Sequence, residues 1–212
     1  MPPILKSAAL VLGLLTLALP PTAHAADEPP HTVVVEDGAF QIRDYAPMIL
    51  AEVEVSGDMG DAGNAGFRPL AGYIFGGNQA RAGGSDAIAM TAPVIQTQSE
   101  NIAMTTPVTQ SMAENGRWRV AFVMPPEWTM ETLPVPDDAR VTLTERPARR
   151  MAAIRFSGGP DDARFAEKTA ELRAWLSAQG YEVIGEPVYA RYDPPWIPTF
   201  FRRNEVMLEI AR

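Results

Sequence analysis

The sequence predicts an α+β fold: two amphipathic helices packed on an antiparallel sheet that curls into a partial barrel. Three observations predict it. Short segments alternating apolar and polar residues recur along the chain, two stretches carry apolar residues at helical spacing, and the order strand, helix, strand, strand occurs twice. One half runs from strand 40–55 through a helix near 61–75 to strands at 88 and near 102–124. The other runs from strand 151–156 through helix 161–179 to strands at 188 and 204.

The first residues read as a targeting segment. Lys6 precedes an apolar run from Ala8 to Leu19, and Thr22, Ala23, His24, Ala25 and Ala26 supply small residues around a cut after Ala25. The run falls short of the roughly 20 apolar residues that a bilayer core requires. Residues 1–25 are therefore expected to be a signal peptide, 26–34 a flexible leader and 35–212 a single domain. Export to the periplasm as a soluble protein without a membrane span is the corresponding expectation.

Within the leader, Thr32–Val35 has the character of a short strand. Phe40, Ile42 and Tyr45 read as one face, with Arg43 and Asp44 turned to solvent, and Ile49, Ala51, Val53 and Val55 continue as an apolar face after Pro47. Phe67, Leu70, Ala71 and Ile74 have helical spacing, with Pro69 expected in the first turn and Gly76 and Gly77 at the stop. Ile88–Val94 then returns fourteen residues later as Ile102–Val108, which reads as a pair of matched strands, each ended by proline. Trp118–Met124, Val141–Thr144 and Met151–Phe156 alternate as strands. Asp161 or Asp162 caps a helix whose stripe is Phe165, Thr169, Leu172 and Leu176, and Gly180 stops it. Val206, Leu208 and Ile210 form the inward face of a final strand.

Composition excludes several kinds of chemistry. There is no cysteine, so disulfides, thiolate catalysis and cysteine-held metals are absent. The chain has 18 basic and 26 acidic side chains; without Lys6 the balance is 17 against 26, about minus nine. Such an acidic balance speaks against a nucleic-acid binder. His31 is the single histidine after residue 25, so a multi-histidine metal centre cannot form. No spacing singles out a carboxylate pair, Ser157-Gly158-Gly159 lacks a nucleophile elbow, and the glycines between 57 and 84 lack a phosphate-loop ending. No catalytic residue is assigned. Met90 and Met104, equivalent in the paired heptads, are core fillers, pocket lining or soft metal ligands. Arg191, Tyr192, Trp196, Phe200, Phe201, Arg202 and Arg203 either staple the last hairpin to the core or form an amphipathic rim suited to a planar anion.

The stretches FRPLAGYIFGGN, IAMTAPV, IAMTTPV, AFVMPPEW, RFSG and YDPPWIPTFFRRNEVMLEI occur in this order between residues 67 and 210, and through them the chain resembles the SOUL family of haem-binding proteins. The resemblance covers about Val35 to Ile210. It implies a distorted antiparallel β-barrel with two flanking helices, a pseudo-twofold repeat and a gyrase-inhibitor-like fold. It also implies haem, or a related tetrapyrrole, as a non-covalent ligand in an apolar groove between the first helix and the terminal hairpin loop. Carried onto this chain, the groove residues are Phe67, Leu70, Ala71 and Ile74, with Tyr192 and Trp196 from the loop and Met90 and Met104 nearby. Arg68, Arg81 and Arg191 are the candidates to meet propionates. One branch of the family uses a histidine to ligate iron, and no histidine lies in the matching part of this chain. The function expected is therefore carriage or buffering of haem without turnover. The alternatives are an enzyme that removes the metal or modifies the ring, and an interaction module without haem. No protein partner is identified.

Overall fold

A computed structural model of the chain describes residues 28–81, 102–113, 115–159, 161–194 and 196–212. Eleven strands and two helices alternate along them: β1 (His31–Asp37), β2 (Phe40–Tyr45), β3 (Met48–Val55), α1 (Met59–Ile74), β4 (Asn78–Gln79), β5 (Val108–Met112), β6 (Trp118–Val123), β7 (Val135–Pro136), β8 (Thr142–Arg146), β9 (Arg149–Ser157), α2 (Asp162–Ala178), β10 (Val188–Arg191) and β11 (Arg203–Glu209). Nine strands form one antiparallel sheet in the order β1-β2-β9-β11-β10-β5-β6-β3-β8, and β4 pairs separately with β7. The order reads outward from its centre as β10-β11-β9 on one side and β5-β6-β3 on the other. Thus β3-α1-β5-β6 and β9-α2-β10-β11 occupy matching places.

The sheet is not a barrel. Its two end strands, β1 and β8, do not pair with each other, so the expected closure is corrected to an open, curled sheet. Chain connectivity supplies the reason. β2 lies near one end of the sheet and β3 near the other, yet only Ala46 and Pro47 separate them; Pro147 and Ala148 likewise carry β8 into β9. Covalent corners occupy the seam where a barrel needs ladder bonds, and their prolines have no N–H to donate. β1 adds a bulge between Val33 and Val35 and exposes Glu36 and Asp37, which blunts that edge.

α1 forms against its own composition. Gly60, Gly63, Gly66 and Gly72 each disfavour a helix by about 1 kcal/mol relative to alanine. Packing overrides this: Leu70, Tyr73 and Ile74 join Ala51, Val53, Val120 and Phe122 in one core cluster. Gly66 lets the helix sit directly on β6, because a Cβ there would lie 2.5 Å from Val120 Cγ2. The Asp58 carboxylate accepts from the Asp61 amide at 2.8 Å and caps the start. The helix therefore begins at Met59, earlier than expected, and Pro69 sits inside it.

α2 matches its expectation closely. Asp161 caps it, and Phe165, Leu172 and Leu176 pack on Ile42, Ile154, Val206 and Leu208. Both helices thus cover the same face of the sheet.

The opposite face is also largely buried, and here Arg43 departs from expectation. It is 2% exposed and pairs with Glu205, which is fully buried, at 2.7 and 3.0 Å. Tyr45 shares that face, because strand alternation puts it beside Arg43 and opposite Ile42. Of the paired heptads, Ile88–Val94 lies outside the described residues. Ile102–Pro107 is irregular rather than a strand, and β5 begins only at Val108.

Candidate functional site

Along α1, the residues at the border of the buried stripe follow one another at four-residue intervals: Gly63, Phe67, Ala71 and Phe75. Such spacing places them one above the other on one side of the helix. Phe67 is 37% and Phe75 62% exposed, and Ala71 is half-buried, so this side presents apolar area to solvent. The Phe67 ring stands edge-on to Phe122 at 5.4 Å, which anchors the ridge to β6.

The segment carrying Met104 runs beside this end of the helix. Its Ile102 amide donates to the Ile74 carbonyl at 2.8 Å, and the Thr105 hydroxyl donates to the Val123 carbonyl. Met104 between them is 37% exposed, while Ile102 is buried.

Arg191 closes the N-terminal end of the ridge. Register places Arg191 opposite Val108, and Val108 opposite Phe122, so all three lie in one cross-strand row beneath α1. The absence of a side chain at Gly63 makes room for the guanidinium: a Cβ there would stand 3.1 Å from Arg191 Nη1. Its carbon lies 5.9 Å from the Phe165 ring centre, within cation–π range. Nε and Nη2 are buried and have no hydrogen-bond partner among the described residues. Burial pushes the Arg191 pKa down, and Asp162 only partly offsets this. An arginine in such a setting is a high-energy donor, and a carboxylate offered to it gains a charge-assisted, bidentate partner.

The other expected residues divide clearly. Leu70 and Ile74 are fully buried in the core and support the ridge from below. Arg68 is exposed on the helix. Arg81 lies beyond the far end of α1, where its Nε donates to the Leu133 carbonyl at 2.7 Å; Gly63 and Ile74 are themselves roughly 16 Å apart by helical rise. Tyr192 points to the opposite face, because it alternates with Arg191. Its hydroxyl donates to Glu205 at 2.7 Å, and burial together with that carboxylate pushes its pKa up. Trp196 is 79% exposed in the hairpin loop. Met90 lies outside the described residues. Sequence reasoning missed Phe75 and Gly63, although both continue the spacing of Phe67 and Ala71.

His31 is placed on β1, with its ring 5.0 Å from Tyr45 and away from the ridge. No cluster of three or more metal-ligating side chains occurs among the described residues. The ridge and Arg191 therefore fit the apolar body and acidic edge of a tetrapyrrole, and they include no histidine to ligate its iron. Among the described residues no helix is long and apolar enough to cross a membrane.

Residues 26–209 match the family described as SOUL heme-binding protein. The chain belongs to the SOUL family. Family membership associates it with haem and tetrapyrrole binding. This SOUL protein is 30% identical to Heme-binding protein 1 of Xenopus laevis over 175 residues, covering 81% of this chain and 84% of that one. Identity to Heme-binding protein 1 of Xenopus tropicalis is 29% over the same length and coverage. Its fold is similar to that of the EcmrR C-terminal domain, with a TM-score of 0.57 over 82% of this chain and 97% of that one; at 11% identity this likeness concerns the fold alone.

Proposed function

We propose that this SOUL protein captures haem or a related tetrapyrrole reversibly and non-covalently on the ridge of α1, and carries or buffers it without turnover. The observation that carries this reading is the Arg191 guanidinium at the end of the Gly63–Phe67–Ala71–Phe75 stripe, whose Nε and Nη2 are buried without a hydrogen-bond partner among the described residues. Apolar macrocycle surface lies on Phe67, Ala71 and Phe75, with Met104 alongside, and a propionate reaches Arg191. About 200 Å² of apolar surface removed from water contributes about 5 kcal/mol before the costs of ordering. Without a neighbouring histidine, affinity rests on area and charge rather than on strong iron ligation.

Titration followed by absorbance tests the reading. Ala71→Glu places a charge in the middle of the stripe and is expected to abolish saturable haem uptake while leaving the fold intact, because Ala71 lies outside the core cluster. Unchanged uptake would reject the site. We also infer that the protein works in the periplasm after loss of residues 1–25. A mature N-terminus at Ala26 in the exported protein is the expected finding, and retention of residues 1–25 would refute it.

A further inference from the structure

A cavity lies on the face of the sheet that the helices do not cover. It is a cleft of about 640 Å³ between β1, β2, the end of β9 and the start of β11. That volume is within the usual range for small-molecule sites, about 300–1,000 Å³. Its position is set by strand alternation: Gln41 and Arg43 line it, whereas Phe40 and Ile42, which alternate with them, pack under α2. The cleft is thus separated from the α1 ridge by the sheet itself.

Its charge is the reverse of the chain's. A protein with 26 acidic and 18 basic side chains lines this cleft with Arg43, Arg155, Arg202 and Arg203, and with Glu36 as the single acidic lining residue among the described residues. Two of the arginines are held rigidly. Arg43 and Arg203 converge on the buried Glu205 carboxylate, which Arg203 reaches at 2.7 Å while Glu28 holds its outer edge. Arg203 also lies over the Tyr192 ring at 3.8 Å. Glu205 and Glu28 offset this inner pair, so the charge left for a ligand belongs to the rim. Arg155 is exposed there and forms no hydrogen bond or ion pair through its side chain among the described residues, and Arg202 stands near it with its Nε anchored to the Ile197 carbonyl. The apolar part of the lining is Val33 and Phe201, the latter 71% exposed, with the His31 ring held against Tyr45; Phe156 contributes only at its backbone, because its ring packs on Phe165 on the other face. Guanidinium groups at the rim and aromatic surfaces beside them select a ligand with an acidic group on a flat apolar body.

We propose that this cleft is a binding site for a small organic anion, an aromatic or similarly flat carboxylate, independent of the tetrapyrrole ridge. Arg155 supplies the accessible countercharge, Phe201 supplies stacking area beside the His31 ring, and the Arg43–Glu205–Arg203 floor fixes the shape.

Titration of uniformly ¹⁵N-labelled protein with 2-naphthoate, monitored through backbone amide shifts, tests this directly. Saturable shifts are expected at Gly38, Gln41 and Ser157, with no change at Phe67 or Ala71. Arg155→Gln, a change at an exposed residue, is expected to weaken that binding about tenfold while leaving haem titration as in the native chain. The uncharged analogue 2-methylnaphthalene is expected to bind at least tenfold more weakly than the acid. Absence of saturable shifts, shifts confined to α1, an unaltered affinity in Arg155→Gln, or equal binding of the uncharged analogue would each overturn the proposal. None of those results overturns haem capture at the ridge, which the Ala71→Glu titration addresses separately.

Discussion

Replacing Arg191 with methionine should make the protein more stable and worse at its task. Nε and Nη2 of Arg191 are buried without partners among the described residues, and a buried unsatisfied polar group costs about 1–3 kcal/mol, more when charged. Methionine keeps an unbranched apolar stem of similar length, so packing against Gly63 and the Phe165 ring is largely retained. Removing the guanidinium is thus expected to stabilise the fold by about 1–2 kcal/mol, the lower part of that range, because some stem contacts relax. In the bound state the same guanidinium meets a propionate, and a charge-assisted bond contributes about 1.5–3 kcal/mol. Arg191→Met should therefore weaken haem binding about tenfold or more. Urea unfolding gives the first quantity and absorbance titration the second. The dimethyl ester of haem, which has no free carboxylate, should bind the native chain and Arg191→Met alike. A variant that is less stable than the native protein and binds haem unchanged would refute the reasoning, because Arg191 would then be a satisfied structural residue.

Other consequences follow from the same contacts. Glu205→Gln leaves Arg43 and Arg203 without their shared carboxylate and is expected to cost about 3–5 kcal/mol in urea unfolding. Burial alone would raise the Glu205 pKa, but Arg43, Arg203 and the Tyr192 hydroxyl more than offset it and hold it below the usual carboxylate value of 4.5. A carboxyl depressed in the folded state stabilises above its unfolded pKa, and that contribution is lost as pH falls through the folded pKa. Native stability should thus decline as pH drops below about 4.5, and Glu205→Gln should flatten the decline. Gly66→Ala should destabilise by about 1–3 kcal/mol despite alanine's better helix propensity, because its Cβ would meet Val120 at 2.5 Å; adding Val120→Ala should recover part of the loss. Failure of the second change to recover any stability would show that the helix is not seated as described.

Much of this architecture was legible in the chain, and where it was not, tertiary contacts decided. α2 carries its own signals: Asp161 to cap, a clean apolar stripe, and Gly180 with φ +76 just past its end. Alternation located β6, β9 and β11 to within a few residues. α1 was harder, because its glycines argue against a helix and only the close approach of Gly66 to Val120 explains them. Arg43 was read as solvent-facing because an arginine in a strand usually is; its partner Glu205 lies 162 residues away, and nothing local announces such a pair. The second heptad resembles a strand in pattern, yet its Ile102 amide is tied to the end of α1 and its Thr105 hydroxyl to the Val123 carbonyl instead of a ladder forming there. Barrel closure failed for a related reason. Pro47 and Pro147 were visible, but their position at the seam depends on a strand order that pairs β2 with β9 and β3 with β8.

At the site, helical spacing marked Phe67, Leu70, Ala71 and Ile74 as one stripe and the SOUL resemblance pointed to Phe67 and Ala71 within it; Phe75 continues their four-residue interval. Arg191 was identified only by neighbourhood, and Tyr192 was placed beside it. Strand alternation lets only one of the two face α1, so Arg191 serves the ridge and Tyr192 the Glu205 network.

A structure of the protein bound to haem tests the central claim most directly. The account predicts the macrocycle lying along Phe67, Ala71 and Phe75 with a propionate on Arg191 Nε and Nη2. A macrocycle seated on the other face of the sheet, in the arginine-lined cleft, with Arg191 still unpaired, would contradict it.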